Sequence, residues 1–558
     1  MCSLRGVPLF VLLLLSTAIQ ACQDGQETPF SPSNSQASGF ESSVEGVPWA
    51  KQVRNVGSLS IDLPIQPRPW DLSVEELENA ISDAQGRVFI GLKAPGSPRT
   101  LENDGLKVRL GEEAFAAGLR AVARAGAEIS KVHGDIGVLS ATVDPSSAQP
   151  LSDLPFVDFV EPKLAVYTFD GMRTAGSPIS ASPAWFSQTT PWGITMIGAA
   201  DAWTTTTGNG AKVMVLDTGH DQGHEDLPSV PTENCDLGFG GCSDGDGHGT
   251  HVLGDFVARN NLVGSVGVAP GVAGSDTYVW RISTGGSWDE DSVFVALDSA
   301  MAWDVDVVNM SFSSFDYNPA FALKISSVFG DDIVLVASAG NDTTATVKYP
   351  AGYSGVLGVS GVRTDKSFAT TSPCGGNSNY GSHVDLAAPF WSYNAAPSDQ
   401  YEDEDDGWCG TSFSSPHVAG VAALIRAESP SMANYTVYDR LSETAEDLGS
   451  AGWDAYFGDG LVDASAALGP YADIEGPTSV KPNQECTWMA ERSGGLSPFS
   501  YTWYLDGDSV ASGIYYDGEV GTSSFELWVT ISDTHGFNDT KVLQISVSQG
   551  GEDCEAKD

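Results

Sequence analysis

The run Gly410-Thr411-Ser412-Phe413-Ser414-Ser415-Pro416-His417-Val418-Ala419-Gly420 constrains this chain more than any other stretch. A turn of small residues feeds an apolar run from Val418 to Ile425. That pattern delivers one hydroxyl to the first turn of a buried helix. Pro416 suits such a turn, where the first N–H groups have no intrahelical partner to lose. A hydroxyl in this place is either an N-cap or a nucleophile. A nucleophile needs a base, and the base needs a carboxylate to orient it.

Both stand upstream. Asp244-Gly245-Asp246-Gly247-His248-Gly249-Thr250-His251-Val252 sets a histidine between glycines. Lys212-Val213-Met214-Val215-Leu216-Asp217-Thr218-Gly219 ends a strand-like run in an aspartate. A carboxylate at the carboxyl end of a buried parallel strand faces the crevice of an α/β sheet. Val336-Ala337-Ser338-Ala339-Gly340-Asn341 ends another strand in an amide able to hold an oxyanion. The order Asp, His, Ser is the order found in subtilisin. Of the other histidines, His251 reads as packing on the His248 helix, and His417, five residues past Ser412, faces elsewhere.

On these segments the chain resembles the subtilisin-like serine proteases (subtilases) over residues 187–469, about half its length. The resemblance implies a doubly wound α/β parallel sheet and a serine endopeptidase. Ser412 would attack the peptide carbonyl, His248 would shuttle the proton, and Asp217 would hold the imidazole. The Asn341 amide and the Ser412 N–H would stabilise the oxyanion. The opposing class is a non-catalytic binding protein on the same scaffold; intact Asp217, His248, Ser412 and Asn341 argue against it.

Length and charge bound the rest. At 558 residues with 41% hydrophobic side chains, several globular units are expected. A formal net charge of −46 argues against nucleic acid as a partner. The charge is uneven: residues 86–170 hold 11 acids and 9 bases, whereas residues 187–469 hold 37 acids and 9 bases.

Residues 1–22 read as a secretory signal, with Arg5 ahead of an apolar run from Val7 to Leu15. Ile19-Gln20-Ala21-Cys22 resembles a bacterial lipobox, which would lipidate Cys22 and anchor the protein to the cell envelope. The other reading is cleavage after Ser16-Thr17-Ala18 and free secretion. Residues 23–85 form a Ser-, Gln- and Pro-rich tether and an extension with an amphipathic helix near Leu72 to Ala84. Residues 86–169 read as a small α+β unit: strands from Arg87, Ile129, Val138 and Phe156, and a helix from Glu113 to Arg124. By the resemblance this is an inhibitory propeptide whose tail lies in the active-site cleft. A Gly/Ser/Pro linker covers 170–186 and leaves Phe169 and Phe186 as candidate processing points.

Residues 470–548 alternate apolar and polar residues in strand-length runs and resemble an Ig-like or PKD-type β-sandwich, a spacer or surface-binding accessory; 549–558 is a tail. Six cysteines beyond the signal suggest disulfides, with Cys235–Cys242 favoured by proximity and Cys374–Cys409 and Cys486–Cys554 as the remaining pairs.

The resemblance also carries ligand and pocket positions. One structural calcium would be held by the Gln188, Asp226 and Asn261 side chains and the carbonyls of Arg259, Val263 and Ser265. Ser311-Phe312-Ser313 falls on the substrate-binding strand. Trp408 would line the leaving-group side. Lys348, before Tyr349-Pro350, falls at the foot of the P1 pocket. A buried ammonium there must reach water, pair with an acid, or meet a P1 glutamate.

Overall fold

The computed structural model describes residues 73–93, 112–163, 168–169, 188–235, 241–283, 290–370, 377–402 and 408–554. The signal with Cys22, the linker with Phe186, the aspartates of 403–406 and Cys374 lie outside the described residues. Among the described residues no helix is long and apolar enough to cross a membrane. The chain forms two compact units, one from 65–164 with 318–327, the other from 165–317 and 328–558.

The first unit opens on helix α1 (Val74–Asp83), whose Ser73 and Glu76 close a reciprocal capping box at 3.3 and 2.8 Å. Strand β1 (Arg87–Leu92), helix α2 (Glu112–Arg124), strands β2 (Glu128–His133) and β3 (Val138–Thr142), helix α3 (Ala148–Ser152) and strand β4 (Val157–Pro162) follow. The strands form an antiparallel sheet in the order β2-β3-β1-β4. Leu77 and Ile81 of α1 share one core with Val88, Ile90, Leu139 and Val160. The boundary expected at residue 86 therefore cuts through a core. The sequence hid this because α1 lies beyond a turn that reads as a break.

The second unit is built on a six-stranded parallel sheet. After β5 (Thr168–Phe169) come β6 (Val213–Asp217), β7 (Thr277–Arg281), β8 (Val307–Met310), β9 (Phe312–Ser313), β10 (Val334–Ser338), β11 (Leu357–Val362) and β12 (Leu386–Pro389). The sheet order is β12-β11-β10-β8-β6-β7. Strand β11 has no strand-like pattern in sequence, because Leu357-Gly358-Val359-Ser360-Gly361 looks like a loop. Its glycines are needed for packing: a Cβ on Gly358 would lie 1.8 Å from the His383 carbonyl, and one on Gly361 would lie 2.0 Å from the Phe390 ring.

Helices α4 (His248–Val257), α5 (Glu290–Ala302), α6 (Thr411–Glu428) and α7 (Asn434–Glu443) pack around the sheet, and short α8 (Ala464–Leu468) follows. Helix α6 begins at Thr411, so Pro416 lies inside it rather than in its first turn. Proline offers no N–H to the Ser412 carbonyl one turn back. The Ser311 hydroxyl takes that role, donating to the Ser412 carbonyl at 2.8 Å.

Strands β13 (Asn394–Ala396) and β14 (Gln400–Glu402) pair antiparallel, and beyond Gly469, strands β15 (Tyr471–Glu475), β17 (Glu485–Ser493) and β20 (Tyr515–Glu519) form one sheet. Strands β16 (Ser479–Val480), β18 (Ser500–Leu505), β19 (Asp508–Ser512), β21 (Phe525–Ser532) and β22 (Asn538–Val547) form another. Trp488 of the first and Trp503, Leu527, Val529 and Ile531 of the second fill one core. Cys554 is bonded to Cys486, so the expected boundary at 548 falls short.

Candidate functional site

Asp217 is the last residue of β6, and His248 is the first of α4. Both are fully buried, and His248 Nδ1 lies 2.8 Å from Asp217 Oδ1. The Thr218 N–H donates to the same oxygen at 2.7 Å. Burial alone pulls the imidazole down, but the Asp217 carboxylate, helped by Asp246 and Asp244, holds His248 above its ordinary value. Ser412 occupies the first turn of α6, and the ring of its neighbour Phe413 lies 5.6 Å from that of His248. Ser412 Oγ donates to the Ser311 carbonyl at 3.1 Å.

Asn341 follows β10. Its side-chain oxygen accepts from the Thr411 N–H at 2.9 Å and the Thr411 hydroxyl at 3.0 Å. Those two bonds fix which end of the amide is the oxygen and aim the NH₂ edge away from Thr411. Sequence reading left Thr411 without a role.

It also left Asp244 without one. Asp244 Oδ1 accepts from the Thr218 hydroxyl at 2.9 Å and the Gly247 N–H at 2.8 Å. Its Oδ2 accepts from the N–H and hydroxyl of Thr250 at 2.9 and 2.7 Å. One carboxylate thus braces the Asp217 strand against the start of the His248 helix. The signal was an acid just ahead of a helix, the usual place for a capping carboxylate. Asn379 does the same for the Asn341 turn. Its side-chain oxygen accepts from Asp342 and Thr344 N–H groups at 2.8 and 3.1 Å, and its NH₂ donates to the Ala339 carbonyl at 3.0 Å. No local signal could have found it, since those partners lie 35–40 residues away.

His251 and His417 are buried, and burial draws them down to about 3 and about 4. His251 stacks on Trp408 at 5.3 Å between ring centroids, and the Trp408 indole N–H donates to Glu402. Trp408 is therefore buried and packs against α4, with its ring 6.4 Å from that of His248. The side chain of Ser311 is likewise spent internally, bonded to Asn309, Ser415 and the Ser412 carbonyl. Phe312 and Ser313 form β9, which pairs antiparallel with β5: Thr168 opposite Ser313, and Phe169 opposite Phe312.

Lys348 is 3% exposed and pairs with an acid. Its Nζ lies 2.5 Å from Asp342 Oδ2 and 4.4 Å from the centre of the Phe315 ring.

The expected calcium ligands also gather. The Gln188 amide NH₂ donates to the Arg259 carbonyl at 2.8 Å and to the Ser265 carbonyl at 2.6 Å. Asp226 Oδ2 accepts from the Ser265 N–H at 2.7 Å, while its Oδ1 is buried and, among the described residues, has no well-formed hydrogen bond, with the Asn261 and Tyr401 side chains beside the carboxyl. Burial pushes this carboxyl up to about 7. Asn261 turns its oxygen onto the Val263 N–H at 2.9 Å. An idle buried carboxylate oxygen among converging carbonyls suits a hard cation.

Residues 208–460 match the family described as the subtilase family. The chain is 36% identical over 284 residues to a thermostable alkaline protease of Halalkalibacterium halodurans, covering 50% of this chain and 74% of that protein. It is 34% identical over 291 residues to subtilisin DY of Bacillus licheniformis, covering 50% and 99%. To subtilisin E of Bacillus subtilis it is 31% identical over 358 residues, covering 62% and 84%.

Proposed function

Because this chain belongs to the subtilase family and is a serine endopeptidase, we propose that Asp217, His248 and Ser412 are its catalytic triad, that it is exported, and that it is made as an autoprocessed zymogen. The carrying observation is the buried 2.8 Å contact between His248 and Asp217, with the Ser412 turn packed beside it through Phe413. Ser412 Oγ attacks the peptide carbonyl as His248 takes its proton, and His248 returns that proton to the leaving amine. Asp217 fixes the tautomer and stabilises the imidazolium. The Asn341 NH₂ edge and the Ser412 N–H receive the oxyanion. Protein freed of residues 1–186 is expected to react with a fluorophosphonate probe at Ser412; folded, processed protein that stays unlabelled would refute the reading.

The zymogen reading is supported by the pairing of residues 168–169 on β9, which leaves a segment lying antiparallel to a strand as a substrate would. Residues 73–169 are then the inhibitor, and the C-terminal strands an Ig-like or PKD-type accessory.

The reaction needs neutral His248. Activity is expected to fall as pH drops through its raised value. Asp217→Asn removes the charge that raises it, so the acidic limb of kcat/KM moves to lower pH, besides a loss of about 10⁴ in kcat. A limb that stays in place would show that another group faces the base.

Gln188, Asp226, Asn261 and the carbonyls of Arg259, Val263 and Ser265 would hold calcium, whose charge would neutralise the buried Asp226 carboxylate and tie 259–265 to the start of the unit. At about a hundredfold excess over Kd the ion adds roughly 2.7 kcal/mol, so chelation is expected to lower Tm by on the order of 5–10 °C. Asp226→Asn should abolish the chelator effect. An unchanged Tm in chelator would remove calcium from the account.

Lys348 bears on the P1 residue. Because Asp342 already matches its charge, a P1 glutamate must compete with Asp342. Lys348→Ser is expected to change the Glu/Phe ratio of kcat/KM by less than about threefold, and Asp342→Asn to raise it. A tenfold fall in that ratio in Lys348→Ser would mean that Lys348 reads P1 directly.

A further inference from the structure

Three side chains meet beside the Asp217 strand that the proposed reaction does not use. His220 follows Asp217 by three residues; its ring is wholly buried, and among the described residues neither ring nitrogen has a hydrogen-bonding partner. Cys235 and Cys242, 1% and 2% exposed, are joined as a disulfide, as expected. A nitrogen of His220 and the two sulfurs lie within 4.8 Å of one another. Polar nitrogens idle in a dry interior are uncommon and call for a partner. Burial draws His220 down to about 4, so the ring is neutral at working pH, the form that binds metal.

We propose that this cluster has a second state: when the Cys235–Cys242 bond is reduced, the two thiolates and the His220 imidazole bind one borderline or soft divalent ion such as Zn²⁺, which replaces the disulfide as the staple. A phosphine with water, or a dithiol, supplies the two electrons. The S–S bond breaks, each sulfur leaves as a thiol, and the reductant becomes a phosphine oxide or a disulfide. The ion then displaces one proton from each thiol, and the imidazole gives a lone pair without losing a proton. Two sulfurs and one nitrogen fill three corners of a tetrahedron and leave the fourth to water. Asp244 is not the fourth ligand, because both its oxygens already accept hydrogen bonds from the protein.

The staple bears on the site through the backbone. The His220 N–H donates to the Cys242 carbonyl at 2.8 Å, and the Asp244 N–H to the His220 carbonyl at 3.3 Å. This short ladder carries Asp244, which braces Asp217 against His248. Either staple would hold it.

The test uses the full chain as Ser412→Ala, which cannot digest itself. It is reduced with a phosphine without oxygen and titrated with Co²⁺ as a coloured substitute for Zn²⁺. One equivalent is expected to give a thiolate-to-cobalt charge-transfer band and tetrahedral d–d bands, absent before reduction and bleached by Zn²⁺. The Cys235→Ser/Cys242→Ser double variant should lack them, although Cys486 and Cys554 are still freed. His220→Ala should weaken affinity at least about tenfold. If the reduced parent shows no charge-transfer band, the proposal is overturned however the variants fold. A band that persists in both variants overturns it as well and leaves the cluster as a disulfide packed on an imidazole.

Discussion

Ser412→Ala protein is expected to accumulate as an uncut precursor and to lose on the order of 10⁶ in kcat, the scale established for removing this member of the unit in subtilisin. The hydroxyl is the atom that forms the acyl bond, so no neighbour substitutes for it. Its removal costs one hydrogen bond within the protein, the one Ser412 Oγ donates to the Ser311 carbonyl, and leaves the other bonds of this turn in place. Ser412 is held by its carbonyl, which accepts from Ser311, and the flanking Thr411 holds Asn341 with its own N–H and hydroxyl. None of these bonds uses Ser412 Oγ. The variant should therefore fold, keep the Asp217–His248 contact, and retain about 10³–10⁴ of acceleration over water from the oxyanion donors and binding. Incubation with a trace of active enzyme should then cut the precursor in trans. Precursor that matures at the parent rate in the producing cells, with no active copy of the enzyme present, would show that another protease makes the cut, and would remove the autoprocessing step from the proposal.

The residues just discussed show how far the sequence reaches. Asp217, His248, Ser412 and Asn341 were readable because each ends a strand or starts a helix, where local pattern and chemistry coincide. Of the parallel strands, β6 and β10 were readable as the apolar runs that end in Asp217 and lead to Asn341. The braces were not. Asp244 acts through Thr218 and Thr250, and Asn379 through Ala339, Asp342 and Thr344; their roles exist only once distant segments meet. Trp408 and Ser311 were expected near substrate, and their side chains hold partners that no local pattern gives: His251 and Glu402 for Trp408, and for the Ser311 hydroxyl the carbonyl that Pro416 leaves without a donor. The acid that meets Lys348 was likewise invisible, because Asp342 comes alongside only when the loop between them closes.

Asp533→Asn is expected to lower stability by about 3–5 kcal/mol, the cost of leaving a buried charge without its partner. Arg440 of α7 is fully buried, with its Nη1 2.6 Å from Asp533 Oδ2. Its other nitrogens donate to the carbonyls of Ala467 and Gly469, and its guanidinium lies 3.8 Å over the Phe537 ring. Asp533 in turn accepts from the N–H groups of Leu496, His535 and Phe537 at 3.2, 2.9 and 3.1 Å. One ion pair therefore fastens the C-terminal strands to the helix beside β10. This geometry alters the expectation of a spacer, because a spacer on a loose joint would not bury a charge at the joint. Asparagine keeps the size and most hydrogen bonds but strips the anion from the guanidinium. Tm should fall by roughly 6–20 °C. Arg440→Met/Asp533→Leu should recover most of the loss, since apolar replacement of a whole buried pair is often neutral. If Asp533→Asn melts within about 1 °C of the parent, the pair is open to water in solution and the C-terminal strands are only tethered.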